Sequence, residues 1–148
     1  MQANREPQLI ARERFSDIRG KVFHFRNFNL PDIKRVYFIE PSLDAGFRGW
    51  HGHKFESKTF VCVSGSFEVS NVEVEDWENG SSSQPAWTWR LKADSGELLL
   101  VPAGFANGIL PLEEGSRLMV MSNKLLEESL SDDFRFPENA FRRPAPQN

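Results

Sequence analysis

"RGWHGHKFESKTFVCVSG", Arg48 to Gly65, sets two histidines two positions apart ahead of an apolar run that ends in Ser-Gly. The run is rich in Phe and Val, and the residues after it, "SFEVSNVEVED", alternate apolar with polar, which is the pattern of a half-buried strand. Phe67 and Val69 share one face and Glu68 and Ser70 the other. The alternation breaks at Asn71, and the break predicts a β-bulge there.

Working outward, short apolar segments recur between turn signals: "KVFHF", "KRVYFIE", "AWTWRLK", "GELLLVPAG" and "SRLMVMSN". Their length and their Val, Phe, Ile and Trp content predict an all-β sandwich or barrel. "EDWENGSSSQPAW" reads as a long, mobile loop joining strands near Glu75 and Trp87. Only "NKLLEESLSDD" permits a helix, short and near the C-terminus, with Leu125, Leu126 and Leu130 at helical spacing. The 148 residues predict one domain with its core at about 20–140, and flexible or arm-like segments at 1–15 and 142–148.

Composition narrows the partners. Net charge is −3 and the basic residues are scattered, which argues against nucleic acid. No apolar run reaches the ~18 residues of a membrane span, and the N-terminus lacks a signal-peptide pattern, so the reading is cytoplasmic. The lone Cys62 lies in an apolar strand, as a buried small hydrophobe in a reducing compartment does.

His51 and His53, with a strand rise of about 3.3 Å per residue, project from one face roughly 6.6 Å apart, within reach of one small ring. An imidazole has the unperturbed pKa nearest neutrality among the side chains, which suits it to acid-base work. Metal ligation, acid-base work and a structural role all remain open for the pair on spacing alone. A third histidine, His24, lies in a separate segment.

Two stretches together carry a resemblance. Gly46, His51, His53, Glu56 and Gly65, followed by "GELLLVPAGFANG" with Gly96, Pro102, Gly104 and Asn107, resemble the two motifs of the cupin superfamily. The resemblance implies a double-stranded β-helix, or jelly-roll, barrel. Metal-binding cupins carry a histidine in the second motif where this chain has Asn107, and a glutamate farther from the second histidine than Glu56 is from His53. "RGWHGHK" further resembles an element of the dTDP-sugar 3,4-ketoisomerases (WxcM-like), and "VPAGFANG" a segment of the dTDP-4-dehydrorhamnose 3,5-epimerases.

That resemblance implies an isomerase or epimerase acting on a nucleoside-diphosphate 4-keto-6-deoxy sugar, of the 3,4-ketoisomerase type, in deoxysugar and cell-surface polysaccharide biosynthesis. It implies no cofactor and no metal. His51 is then the base, His53 a proton relay or positioning group, and Tyr37 a substrate-contacting hydroxyl. Arg48 and Lys54 are the candidate cations for diphosphate or an oxyanion, although strand alternation points both away from the histidine face unless a bulge intervenes. Asn107 is the candidate for hydrogen bonding to the sugar from inside the barrel, and Trp50 for stacking on the base. The epimerases use a further Tyr on the strand matching "RLMVMSN", where Met119 stands here. By the same resemblance the partner is a nucleotide sugar and the assembly a homodimer that exchanges N-terminal strands, "KVFHF" being suited to that use. The alternatives are a cupin that binds a nucleotide sugar or carbohydrate without turning it over, and a metal-dependent cupin enzyme.

Overall fold

A computed structural model describes residues 5–148. The chain folds into two five-stranded antiparallel sheets and a separate hairpin. The first sheet runs β1 (Gln8–Ile10), β9 (Leu98–Val101), β6 (Lys58–Ser64), β11 (Arg117–Ser122), β4 (Arg35–Ile39). The second runs β12 (Phe134–Arg135), β5 (Arg48–His53), β10 (Phe105–Pro111), β7 (Ser66–Glu73), β8 (Trp87–Lys92). The hairpin is β2 (Glu13–Asp17) with β3 (Gly20–His24). Apart from β7 and β8, strands neighbouring within the two large sheets are not consecutive in sequence, as in the jelly-roll barrel that the motifs implied.

Period-two alternation builds the core between the sheets. Phe60, Phe67, Val69, Leu91, Leu99, Leu118 and Val120 point inward and are buried together. A second cluster lies on the outer face of the second sheet, where Trp50, Val72, Val74 and Ala106 meet Phe141 from the C-terminal segment. Covering on both faces is why β7 and β10 read as near-continuous buried runs.

It also corrects the bulge expected at Asn71. The β7–β10 register continues unbroken from Phe105↔Glu73 to Pro111↔Phe67. Asn71 keeps the inward parity of Phe67 and Val69, and the apparent phase change came from Val72 and Val74 packing on the other face. The bulge that matters lies in β5. Asn107 pairs with His51 and Ile109 with Arg48, so two steps along β10 match three along β5.

Several other elements differ from expectation. The segment 75–87 is tied by hydrogen bonds: the Asp76 carboxylate accepts the Glu78 and Asn79 amides, and Glu75 accepts the Ser83 hydroxyl at 2.8 Å. The helix, α1 (Leu126–Leu130), exists, but Leu125, Leu126 and Leu130 are exposed and it buries Ser129 instead. The C-terminal tail is docked along β8, with Gln147 donating to the Thr88 carbonyl and Asn148 bonding the Arg90 backbone in both directions. At the N-terminus, β1 pairs within the chain's own sheet while β2–β3 projects from it; residues 1–4 of the expected arm lie outside the described residues.

Candidate active site

The β5 bulge determines which side chains share a cavity. Beyond it, alternation is shifted by one, so Arg48 joins His51 on the inner face while Trp50 takes the outer one. The bulge fits because Gly49 and Gly108 approach closely: a Cβ on Gly49 would lie 2.8 Å from the Gly108 Cα, and one on Gly108 would lie 2.0 Å from the Phe47 ring. Between the sheets this leaves a cavity of about 420 Å³ whose polar lining is Tyr37 from β4, Glu40 just after it, Arg48 and His51 from β5, Lys58 from β6 and Asn107 from β10, Glu40 being paired with Arg117.

Four sequence candidates therefore converge: Tyr37, Arg48, His51 and Asn107. Lys54 does not. It lies past the histidines with its ammonium over the Phe134 ring at 5.0 Å and the Trp77 ring at 5.8 Å, on the outside of the sheet. Trp50 is wholly buried in the outer cluster, its indole N–H donating to the Glu138 carbonyl at 3.0 Å and its ring edge-on to Phe47 and Phe141. It has no access to a ligand in the cavity. Met119 faces outward beside Phe38 and Val61, and the inward residues of its strand are Leu118 and Val120.

Sequence reasoning missed Lys58, whose place was nonetheless written in the alternation of "KTFVCV". Lys58 shares the parity of Phe60 and Cys62, both inward. Its ammonium lies 5.9 Å from the centre of the Tyr37 ring. Neither Lys58 nor Arg48 forms a salt bridge among the described residues, although Lys58 feels the buried Glu56 carboxylate and Glu40 shares the cavity lining.

The His51 imidazole makes no hydrogen bond to the described residues, which leaves the ring to the cavity. Burial holds its pKa below the ordinary imidazole value, and the nearby charges of Arg135 and Lys58 add to the effect while Asp133 opposes it. It is thus a neutral imidazole at neutral pH.

His53 is placed differently. It is buried, and its Nδ1–H donates to the Asp132 carbonyl at 2.7 Å with a Glu56 carboxylate oxygen 3.1 Å away. Both partners only accept, so the proton sits on Nδ1 and the lone pair on Nε2. That Nε2 is buried without a partner. Burial lowers the His53 pKa and Lys58 lowers it further, against Glu56.

Behind His53 lies a polar knot that the sequence did not announce. The buried Glu56 carboxylate accepts the Ser122 hydroxyl, the Ser129 hydroxyl at 2.9 Å and the Arg35 guanidinium at 3.0 Å. Burial pushes its pKa up, but these hydroxyls together with Lys58 and His53 outweigh burial and hold it below the ordinary value. The Asp132 carboxylate then accepts the backbone amides of Lys54, Phe55 and Glu56 at 2.8, 2.9 and 3.2 Å. Together they fix the turn from β5 to β6.

With both Glu56 oxygens engaged, no third donor joins the histidines, and no set of three or more His, Cys, Asp or Glu suited to a metal exists among the described residues. A second cavity, about 680 Å³, shares Lys58 with the first. Ser57, Thr59 and Pro102 form one wall of it and the segment 27–31 another, with Phe28 as its aromatic residue. No helix among the described residues is long and apolar enough to cross a membrane.

Comparison with known proteins adds lineage to this geometry. The family described as FdtA, WxcM-like, C-terminal, matches residues 5–136. A TDP-4-oxo-6-deoxy-alpha-D-glucose-3,4-oxoisomerase of Aneurinibacillus thermoaerophilus is 36% identical over 66 residues, 43% of this chain and 48% of that protein. The match thus spans about half of the curated relative. Among solved structures, the rmlC epimerase of Mycobacterium tuberculosis superposes with a TM-score of 0.74 at 19% identity, covering 96% of this chain and 76% of that one. A sugar 3,4-ketoisomerase of Thermoanaerobacterium thermosaccharolyticum, in complex with TDP, gives 0.64 at 20% identity, covering 91% of each chain. A dTDP-4-dehydrorhamnose 3,5-epimerase of Bacillus anthracis gives 0.70 at 20% identity, covering 99% and 91%. These likenesses establish the fold.

Proposed function

This chain belongs to the WxcM-like, C-terminal family, and from that premise we propose that it is a nucleotide-sugar isomerase of the 3,4-ketoisomerase type, serving deoxysugar and cell-surface polysaccharide biosynthesis. The observation that carries the reading is His51, whose imidazole makes no hydrogen bond to the described residues, in a cavity it shares with Arg48, Lys58 and a tyrosine. A 4-keto sugar ring enters that cavity. His51 takes the proton from C3, the electrons of the C–H bond form the C3–C4 double bond, and the C4 carbonyl oxygen becomes an enediolate oxygen. That oxygen gains a proton, the C3 hydroxyl loses one, and C4 receives a proton to give the 3-keto isomer, so nothing is gained or lost overall.

Lys58 is assigned to the developing negative charge, because its ammonium lies in the same cavity as His51. Arg48, whose planar fork matches phosphate oxygens, is assigned to the diphosphate. The adjoining cavity, reached past Lys58, is assigned to the nucleoside, with Phe28 in the place first given to Trp50. His53 stands behind the reacting ring: held in its Nδ1–H form, it stays neutral and spares His51 a third positive neighbour beside Arg135 and Lys58. Tyr37 is retained as a hydroxyl facing the sugar.

We further infer a homodimer acting in the cytosol. The outer face of the first sheet presents Val36, Phe38 and Val63, each exposed by 43% or more, and the projecting hairpin presents Phe15, Val22 and Phe23. Apolar area of this kind on two elements of one chain suits a self-complementary interface. Sedimentation of the wild-type protein and of Phe38→Asp is the check on the dimer, with a wild-type monomer refuting it. Fractionation of the source cell is the check on compartment.

The test of activity is proton NMR of TDP-4-keto-6-deoxyglucose in D2O. Deuterium should enter the sugar with wild-type protein, survive a chelator, and disappear in His51→Ala. Binding of the nucleotide sugar with no deuterium entering would remove the enzyme reading in favour of a binding protein.

A further inference from the structure

A row of inward residues crosses the second sheet in register: His51 on β5 faces Asn107 on β10, Asn107 faces Asn71 on β7, and Asn71 faces Trp87 on β8. Two hydrogen bonds link this row to the neighbouring tryptophan. The Trp89 indole N–H donates to the Asn71 side-chain oxygen at 2.9 Å, and the Asn71 amino group donates to the Asn107 side-chain oxygen at 2.8 Å. Asn71 is fully buried and Asn107 is 9% exposed, on the cavity wall.

The chain of bonds has only one polarity. An indole N–H donates and never accepts, so it fixes the Asn71 oxygen toward Trp89. The Asn71 amino group must then donate, which fixes the Asn107 oxygen toward Asn71. What remains of Asn107 is its amino group, a donor with no acceptor among the described residues. Residues directly opposite on adjacent strands have Cβ atoms about 4.5–5.5 Å apart. The free amino group is therefore a neighbour of the His51 ring, where a sugar carbon and its oxygen substituent would lie.

We propose that Trp89 and Asn71 are positioning residues that lock Asn107 with its amino group toward the sugar oxygen on which charge develops during proton transfer. The proposal rests on the isomerase reading above and adds a second donor to Lys58, one that is aimed by the fold and not by a flexible stem. Its energetic logic is that a donor already oriented by buried partners does not reorganise as charge appears.

The test compares Asn107→Ala, Asn71→Leu, Trp89→Phe and the double variant Asn71→Leu/Asn107→Ala by deuterium exchange and by steady-state turnover. Loss of one preorganised donor is expected to lower kcat by about 100-fold with KM changed less than threefold. Asn71→Leu should approach Asn107→Ala, Trp89→Phe should fall between them and wild type, and the double variant should lose no more than Asn107→Ala alone. Independent, multiplying losses, or an Asn71→Leu protein with wild-type kcat, would overturn the relay. Since Asn71 is buried, Trp89→Phe, which keeps the ring, guards against misfolding as the explanation. A second readout needs no turnover: in ¹⁵N-labelled wild type, the Asn107 side-chain amide signals should shift when TDP-4-keto-6-deoxyglucose binds. Unmoved signals with bound ligand refute the relay, whereas a wild type that binds, shifts those signals and exchanges no deuterium refutes the isomerase reading alone.

Discussion

Asp132→Ala should destabilise the protein severely, although Asp132 lies outside the cavity. Its carboxylate accepts three successive backbone amides, from Lys54, Phe55 and Glu56, at 2.8–3.2 Å, and the side chain is nearly buried. Lys54 and Phe55 are exposed, so water recovers much of what their amides lose, about 1 kcal/mol each. The Glu56 residue is 2% exposed, and its orphaned N–H costs a further ~1–3 kcal/mol. A total of about 4 kcal/mol corresponds to a fall in Tm of roughly 8–16 °C for a chain of this size. Asp132→Asn keeps one acceptor oxygen, which can serve Phe55 and Glu56, and turns an amino group on the Lys54 amide, so a loss of about 1–2 kcal/mol is expected. The neighbouring Asp133, exposed and paired only with Arg135, is the control, and its alanine variant should melt within about 2 °C of wild type. Differential scanning calorimetry on the three variants gives the order. An Asp132→Ala protein melting within 2 °C of wild type would show that the turn between β5 and β6 is not held by this carboxylate.

The remaining predictions concern the pH profile and two packing sites. Because His51 must be neutral to take a proton, and burial with Arg135 and Lys58 lowers its pKa, kcat/KM should fall only on the acid side of about 6.5. Arg135→Gln removes a positive charge, favours the imidazolium and should shift that acid limb to higher pH, with the plateau rate unchanged; an unmoved limb would argue against His51 as the titrating base. Trp50→Phe leaves the Glu138 carbonyl without its donor and empties part of the outer cluster, so thermal melting should register a loss of about 2–3 kcal/mol, while turnover per folded molecule stays within threefold. Gly108→Ala drives a methyl group into the Phe47 ring and should cost about 1–3 kcal/mol, partly recovered in Gly108→Ala/Phe47→Leu; equal melting of all three proteins would refute the tight packing at the bulge.

Periodicity made the strands legible, and the two glycine-rich motifs made the barrel legible, because both are repeated local patterns. Tyr37, His51 and Asn107 were readable for the same reason: each is a polar residue holding the inward parity of its strand. Arg48 and Lys54 show the limit. They flank the histidines almost symmetrically, yet one lines the cavity and the other lies outside, and the difference is an extra residue in β5 that only pairing with β10 exposes. Lys58 and Arg35 were within reach, since "KTFVCV" and "RVYFI" carry the parity that turns each inward. Ser122, Ser129 and Asp132 were not, because serines and aspartates at a strand end, in a short helix and in a turn look like ordinary surface residues until Glu56 and the turn amides are brought to them. Trp50 misled through its position between Arg48 and His51, for the cover on its outer face comes from residues near the C-terminus.

The four walls of the cavity belong to β4 and β6 of one sheet and β5 and β10 of the other. The β4 strand, which carries Tyr37, is an edge whose only strand partner among the described residues is β11, Arg117–Ser122. During synthesis Tyr37 leaves the ribosome about eighty residues before the strand that will hold it, so the first wall made is among the last to be placed. No nascent chain ending at Asn107 contains the reaction centre, although every polar lining side chain is already present in it. Contacts so distant in sequence make closure slow relative to local structure. Recovery of turnover after dilution from denaturant should accordingly lag the return of β-sheet circular dichroism, and so report the docking of the final edge.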